Sequence, residues 1–499
     1  MLFISPSYNR LKKLGGFSRY VPLSVPIGIG WLAGALMDAG KKVRILDEEV
    51  VGPCDDLLEE YVKDMEKPYI FGVSCMTASI KRGQEIASVI KEKFPDSKVL
   101  FGGIHPTVVP EEALQNPNVD VAIRGEAEET IPVLYDRLKN GQDFSDIKGL
   151  SFRRNGGFVH NPPAPLPDVT KLSKFPYFLF EQHSSAYELG FITSSRGCPY
   201  DCSFCSQRSI SGRKYRFFPA EIVTETLDDI VNKYHRNYVT FLDDAFSTNK
   251  QRVMDLCREI RRRGLHKKAL FDCQARGDAV DEEMLAAMRE SGFRVINFGI
   301  ETASERLMKL INKGETVEDI KRGVALAKKF GFKISGTFIL GLPTETRKER
   351  AAAYRLAKEM DLDYVRFNNA TPYPGTRLYQ TAVEEGRLNP GKDWENLNAC
   401  GTLVESPFRE APLAYVPLGA SELALRCDIL KYNLFYSFRP KSIFKILKER
   451  VGPAGWLALP PKWYLKPAEW FYLISFALKV AALFIKVFIY SLLTLFETR

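Results

Sequence analysis

Ser195-Arg196-Gly197-Cys198-Pro199-Tyr200-Asp201-Cys202-Ser203-Phe204-Cys205 is the stretch around which the rest of the chain is arranged. Its three cysteines fall within eight residues as C-x3-C-x2-C, directly after the apolar run Phe191-Ile192-Thr193. Three thiolates on one short loop can hold three irons of a [4Fe–4S] cube, because thiolate is the usual protein ligand of such clusters. The next cysteine is Cys257, so the fourth iron is expected to stay open to a small molecule. Two alternatives stand beside this reading, a zinc knuckle and three unrelated thiols. Zinc would want a fourth Cys or His in register, and neither C-x2-C…C-x2-C nor C…H spacing occurs.

The rest of the composition sets bounds. A chain of 499 residues is too long for one core, and 45% hydrophobic with 26% charged residues is a globular balance. Outside the central three, the other six of nine cysteines are scattered singly, which argues against a disulfide-built secreted protein. Met1-Leu2-Phe3-Ile4-Ser5-Pro6 has no basic opening and no long apolar stretch, so no secretory signal and a reducing cytoplasm are expected. Charge is uneven. Between Cys427 and Arg499 eleven Lys or Arg face four Asp or Glu, a surplus that accounts for most of the net +9. It coincides with the most apolar part of the chain, a combination that suits a membrane surface and not nucleic acid.

Residues 1 to about 135 alternate strand and helix patterns. Apolar runs at Met1–Ser5, Lys42–Leu46, Tyr69–Ser74, Val99–Gly103 and Val119–Ile123 read as strands. Helical spacing runs from Ile27 to Ala39, stopping at Gly40, and again over Asp56–Met65 and Ile80–Phe94. Such alternation predicts a doubly wound parallel sheet with ligands at the carboxyl ends of its strands. Those ends carry Ser74 and Thr77, then Gly102-Gly103-Ile104-His105-Pro106, then Arg124-Gly125-Glu126-Ala127-Glu128.

Residues 141–187 hold a short hairpin pattern at Gly149–Arg153 and the Pro-rich Asn161–Pro167, and read as a linker. From 188 to 390 six strand–helix units follow, too few for a closed eight-fold barrel but enough for a partial one. Their strands end in Asp243-Asp244, Gln274-Ala275-Arg276, Glu301-Thr302, Gly341-Leu342-Pro343-Thr344-Glu345 and Thr371–Thr376.

Taken in order, these features resemble the radical S-adenosylmethionine (SAM) enzymes that carry a cobalamin-binding domain, over residue 1 to about 390. The resemblance implies a Rossmann-like cobalamin-binding domain at 1–140, the linker, a partial (β/α)6 barrel at 188–390, and a helical extension at 391–499. It implies that Cys198, Cys202 and Cys205 hold the cluster and that SAM chelates its open iron. Phe204 then matches the position near adenine, Asp243 and Asp244 the motif at the SAM amino group, and Arg276 and Glu301 those facing its carboxylate and ribose. Gly341 matches the glycine-rich motif beside adenine. In the N-terminal half, Ser74, Thr77, Gly102, Gly103, Gly125 and Glu126 match the cobalamin-binding loops. One departure matters: the D-x-H-x-x-G motif is absent, since the second strand leads into Asp47-Glu48-Glu49. Cobalamin is therefore expected without a histidine below the metal, and His105, between a Gly-Gly pair and a proline, is a poor ligand. A Rossmann domain that binds nothing, or binds substrate, is the alternative.

What the resemblance implies for function is a 5′-deoxyadenosyl radical that abstracts hydrogen from an unactivated carbon, followed by methyl transfer. Ring formation or rearrangement is the runner-up. An RNA-modifying methylthiotransferase relative would need a second cysteine trio near the N-terminus, where only Cys54 and Cys75 occur. A non-catalytic cobalamin or Fe–S sensor would not need the SAM-contacting strand ends. A flavodoxin or ferredoxin-type protein is the expected electron donor. No residue is assigned as acid, base or nucleophile.

Beyond Trp394 the resemblance thins. Glu422–Tyr436 reads as a helix, Arg439–Arg450 is basic with apolar residues interleaved, and Trp470–Phe496 is apolar apart from Lys479 and Lys486. Those lysines, seven apart, share one helical face, and in a spanning helix each would cost about 2.5–3.5 kcal/mol. Lying in the interface, both reach water at little cost. Peripheral attachment at the inner face of the membrane is expected, with a lipid-like, isoprenoid or tetrapyrrole substrate; a tail that only packs on its own protein is the alternative.

Overall fold

The computed structural model describes residues 1–7, 23–388, 394–397, 412–442 and 467–494. After β1 (Leu2–Ser5), the two-residue β2 (Leu23–Ser24) leaves the first sheet to pair with a strand from mid-chain. The first sheet continues with β3 (Arg44–Asp47), β4 (Ile70–Ser74), β5 (Lys98–Gly102) and β6 (Val121–Ile123), all parallel. Then β7 (Leu150–Arg154) and β8 (Gly157–His160) add antiparallel, giving the order β3-β1-β4-β5-β6-β7-β8. Leu2, Phe3, Ile4, Phe71 and Val73 are buried, as strands covered on both faces require. The covers include α1 (Ile27–Asp38), α2 (Ile80–Lys93) and α3 (Thr130–Lys139). The hairpin expected inside the linker is thus an edge of this sheet, registered Val121 to Phe152, because Leu150 and Phe152 bury against it.

The aromatic half of the linker is buried too. Phe175, Tyr177 and Phe180 enter the core shared by both halves, with Phe175 edge-on to Trp31 of α1 at 5.4 Å. Trp31 stacks in turn on Phe218 at 5.1 Å.

After β9 (Tyr187–Glu188), the partner of β2, comes β10 (Phe191–Ile192), the first strand of a second sheet. The antiparallel pair β11 (Ser195–Arg196) and β12 (Arg216–Phe217) brackets the cysteine loop. Five parallel strands follow, β13 (Tyr238–Phe241), β14 (Leu270–Ala275), β15 (Phe293–Glu301), β16 (Lys333–Leu340) and β17 (Tyr364–Asn369), in the order β10-β13-β14-β15-β16-β17. Between them run α4 (Ala220–Asp228), α5 (Lys250–Arg262), α6 (Glu282–Glu290), α7 (Val317–Lys329) and α8 (Arg347–Glu359). This is the partial (β/α)6 barrel, with Phe241, Phe246, Phe271 and Phe293 clustered in its core.

An open barrel leaves the edge of β17 unpaired, and α9 (Glu422–Ser437) covers it. Asn433 imitates a neighbouring strand: its Nδ2 donates to Phe367 O at 2.8 Å and its Oδ1 accepts from Phe367 N at 3.1 Å. Arg350 of α8 meets Asp428 of α9 in a buried ion pair at 2.8 Å. Gly341 permits the approach, since a Cβ there would stand 2.8 Å from Leu425. Outside α9 lies α10 (Pro467–Leu493), with Val487 against Leu430 and Leu434 and Phe484 5.5 Å from Phe435. Its other face, including Phe471, Ile474, Leu478, Ile485, Phe488 and Leu492, is exposed. Of the basic stretch Arg439–Arg450, residues 443–450 lie outside the described residues.

Candidate active site

The cysteine loop is held from four sides. Ser203 N donates to Ile311 O at 2.8 Å, and Leu378 N donates to Ser203 O at 3.0 Å. Asn312 Nδ2 donates to Asp201 O at 2.9 Å, and Arg377 meets the Asp201 carboxylate at 3.0 Å. Tyr200 carries the guanidinium of Arg276 over its ring at 3.6 Å. Before the loop, Asp243 at the end of β13 takes up the strand that leads into it. It accepts from Ser194 N at 2.9 Å, Ser194 Oγ at 2.7 Å, Ser195 Oγ at 2.6 Å and Ser195 N.

Cys198 and Cys202 are half-buried and Cys205 is exposed, all three as free thiols. Crowding by surrounding protein raises all three, Cys205 to about 11, so a metal that takes them as thiolates must displace protons. The donor set fits a [4Fe–4S] cluster with one open iron.

The two aspartates expected to act together are parted. Asp243 is buried with both oxygens engaged, so it shapes the loop. Asp244 opens into the barrel mouth beside Cys198 and Cys205. Crowding by surrounding protein, and then the charge of Asp243, pushes its pKa up to about 6.

Arg276 and Glu301 likewise serve neighbours. Besides stacking on Tyr200, Arg276 forks onto Asp278 at 2.9 and 2.8 Å and donates to Lys313 O at 2.8 Å. Glu301 sits in the left-handed region at φ 64° where the β15–β16 register shifts, and holds buried Lys313 Nζ at 3.1 Å. Burial works against the Lys313 charge, but Glu301 and Glu315 overcome it and hold its pKa above the ordinary lysine value. Lys313, Glu315 and Tyr200 escaped the sequence reading, although Lys313-Gly314-Glu315 between two helices was a visible signal. At the end of β16, Gly341 N donates to Glu345, whose pKa burial pushes up to about 8. Phe204 is half-buried against the barrel core.

In the first domain, Ser74 is half-buried at the end of β4, and Thr77 is buried with its Oγ1 3.4 Å from His105 Nδ1. His105 is fully buried, with Glu112 at 3.6 Å and the Trp394 ring edge-on at 5.1 Å. Gly103 lies at φ 98°, with Cys75 O only 2.7 Å from where a Cβ would be. Gly102 faces open space, and Gly125 nearly so. Glu126 is occupied by Arg196, Arg216 and Ser211 of the second domain. At the end of β3, Asp47 accepts from Tyr187 OH at 2.8 Å and Glu48 pairs with Arg82 at 2.7 Å. The open space at Gly102 and Gly125 would accommodate a cobalamin, and the buried imidazole of His105 faces Thr77, Glu112 and Trp394 instead.

Residues 20–135 match the B12 binding domain, and residues 192–357 match the Radical SAM superfamily. An uncharacterised methyltransferase of Pyrococcus horikoshii is 33% identical over 78% of this chain and 84% of its own. An anaerobic magnesium-protoporphyrin IX monomethyl ester cyclase of Rubrivivax gelatinosus is 26% identical over 76% of this chain and 69% of its own. The fold is that of the radical SAM methyltransferase TsrM from Kitasatospora setae, solved with cobalamin and a [4Fe–4S] cluster: TM-score 0.65, 20% identity, 88% of this chain and 82% of that one. The chain therefore belongs to the radical SAM superfamily, among the enzymes that join a B12-binding domain to the barrel and work with a [4Fe–4S] cluster, SAM and cobalamin.

Proposed function

We propose that this enzyme transfers a methyl group to an unactivated carbon of a lipid-like substrate, isoprenoid or tetrapyrrole, while attached to the inner face of the cytoplasmic membrane. The cofactors supply radical formation and the methyl group. The chain's own residues position them. Asp243 and Arg276 hold the cysteine loop, while Asp244 and Glu301 stand at the strand ends where SAM's polar groups would lie. Methyl transfer is supported by the one-third identity to a relative named a methyltransferase. A flavodoxin or ferredoxin-type protein would deliver the electron.

The outer face of α10 carries the substrate reading. Twenty residues, Ile474–Leu493, form a strongly apolar helix of mean hydropathy 2.0 whose outward face is exposed. One flank is fixed along α9, and Arg347 Nη1 donates to Thr494 O at 2.7 Å beyond its end. Arg347 opens α8, the helix that follows β16, so the carboxyl end of α10 is tied close to that strand end. A helix pinned along its flank suits the plane of the interface, where Lys479 and Lys486 reach water. Each basic residue near anionic lipid adds about 1 kcal/mol.

Co-sedimentation with vesicles of phosphatidylglycerol and phosphatidylcholine tests the attachment. Full-length protein should bind, less so in high salt, and the Ile485→Glu/Phe488→Glu variant should stay in solution with SAM cleavage intact. Full-length protein that ignores these vesicles would remove the membrane and the lipid-like substrate together. Formation of 5′-deoxyadenosine without methyl loss from SAM would instead favour ring formation, as named for the Rubrivivax relative.

A further inference from the structure

We infer that Glu126 is a positioning residue that couples the two cofactor sites, and not a contact to cobalamin. Its carboxylate reaches side chains on both flanks of the cysteine loop. Arg196, two residues before Cys198, donates to Glu126 Oε2 at 2.8 Å and pairs with Glu128 at 2.6 Å. Ser211, six residues after Cys205, donates to Glu126 Oε1 at 2.7 Å. Arg216 of β12 donates to Oε2 at 3.1 Å and also meets Oε1. The Arg196 guanidinium lies over Trp31 of α1 at 4.9 Å, a second bond between the domains.

The same carboxylate is wired back to the loops that match cobalamin-binding motifs. Gly125 N donates to Thr107 Oγ1 at 3.0 Å, and Thr107 Oγ1 donates to Gly103 O at 2.7 Å. Two sets of hydrogen bonds, joined by the peptide link between Gly125 and Glu126, thus connect Gly103 and Gly125 to the residues framing Cys198 and Cys205.

Energetics favour a positioning role over a stabilising one. All four charged side chains are nearly buried, the most exposed being Arg216 at 16%. Among the described residues, Arg196 Nη2, Glu128 Oε2 and Arg216 Nε find no hydrogen-bond partner. Buried ion pairs with unmatched atoms rarely repay their desolvation, whereas they do fix one geometry against others. Methyl transfer needs such a geometry, because two cofactors in separate domains must face one substrate carbon.

The inference rests on the family's cofactors, and linkage makes it measurable. If the cluster loop and the cobalamin loops share one arrangement, loading one site must change affinity at the other. The test titrates hydroxocobalamin by absorbance into the full chain before and after anaerobic cluster reconstitution. The cluster-loaded wild type should bind at least about fivefold more tightly than the cluster-free form. Glu126→Gln should bring that ratio to about one, and Arg216→Lys, which keeps the charge without the fork, should fall between. Equal affinities in the two wild-type forms would overturn the coupling. So would a Glu126→Gln variant that weakens binding alike with and without the cluster, since that marks a direct contact. Absence of cobalamin binding by either wild-type form would instead overturn the cofactor assignment and the coupling with it.

Discussion

The guanidinium of Arg276 lies 3.6 Å above the ring of Tyr200, so a strand-end arginine clamps the cysteine loop between its first and second cysteines. The Asp278 fork fixes the guanidinium plane, and the plane fixes the ring. Cation–π contacts gain about 2 kcal/mol when shielded from water.

Arg276→Lys keeps the charge but loses both the fork and the planar stack. Iron content after anaerobic reconstitution should fall, and 5′-deoxyadenosine formation should drop about 10- to 100-fold, the usual cost of losing a group that orients metal ligands. Unchanged iron and unchanged rate would show that the clamp is incidental.

Asp243→Asn and Asp244→Asn should separate structure from chemistry. Asp243 accepts four hydrogen bonds from Ser194 and Ser195, so its neutralisation should destabilise the apo chain by about 3 kcal/mol in thermal or urea unfolding. Asp244→Asn removes a crowded charge and should leave the unfolding midpoint unchanged or raised, while SAM binding weakens. Equal losses of stability would contradict the division.

Much of the fold was open to reading. The helix over Ile27–Asp38 ends just before Gly40, and β16 spans Lys333–Leu340 as its apolar pattern predicts. The cysteine spacing and the polar strand ends named residues that the parallel strands of the second sheet carry at one edge. Three features depended on distant partners. The Leu150–His160 hairpin belongs to the first sheet only because β6 offers its edge. Asp243 and Asp244 are neighbours with opposite roles, decided by which one the returning Ser194-Ser195 backbone meets. Lys313 is a lone lysine in sequence, and only folding sets it between Glu301 and Glu315. One omission was avoidable: Thr346 and Glu349 form the capping box that starts α8.

Asp272 should impose a pH dependence on stability. Burial pushes its pKa up to about 6 from 3.8, against the pull of Thr240 Oγ1, which donates to its Oδ2 at 2.9 Å. The folded state thus holds this proton more tightly than the unfolded one. The contribution is fully present below about pH 4 and is lost as pH rises through about 6. Asp272→Asn should therefore gain on the wild type across that window, by up to about 3 kcal/mol at pH 7. A pH-independent difference in urea unfolding between the two would contradict it.

The cover on β17 should be indispensable, and the outer helix should not. Asp428→Ala strands Arg350 as a buried charge and should cost about 3–5 kcal/mol. Truncation after Phe438 keeps α9 whole and should preserve cooperative unfolding and SAM cleavage while abolishing vesicle binding. Loss of the barrel on that truncation would make α10 part of the core.

The most direct test of the account follows the fate of SAM itself. Full-length protein, reconstituted anaerobically with iron, sulfide and hydroxocobalamin, is given SAM, a strong reductant and a membrane lipid extract, and the products are resolved by mass spectrometry. The account predicts both 5′-deoxyadenosine and S-adenosylhomocysteine, the second only with cobalamin present, and no 5′-deoxyadenosine from the Cys198→Ala/Cys202→Ala/Cys205→Ala variant. Full 5′-deoxyadenosine formation by that variant, or S-adenosylhomocysteine formed equally well without cobalamin, would contradict it.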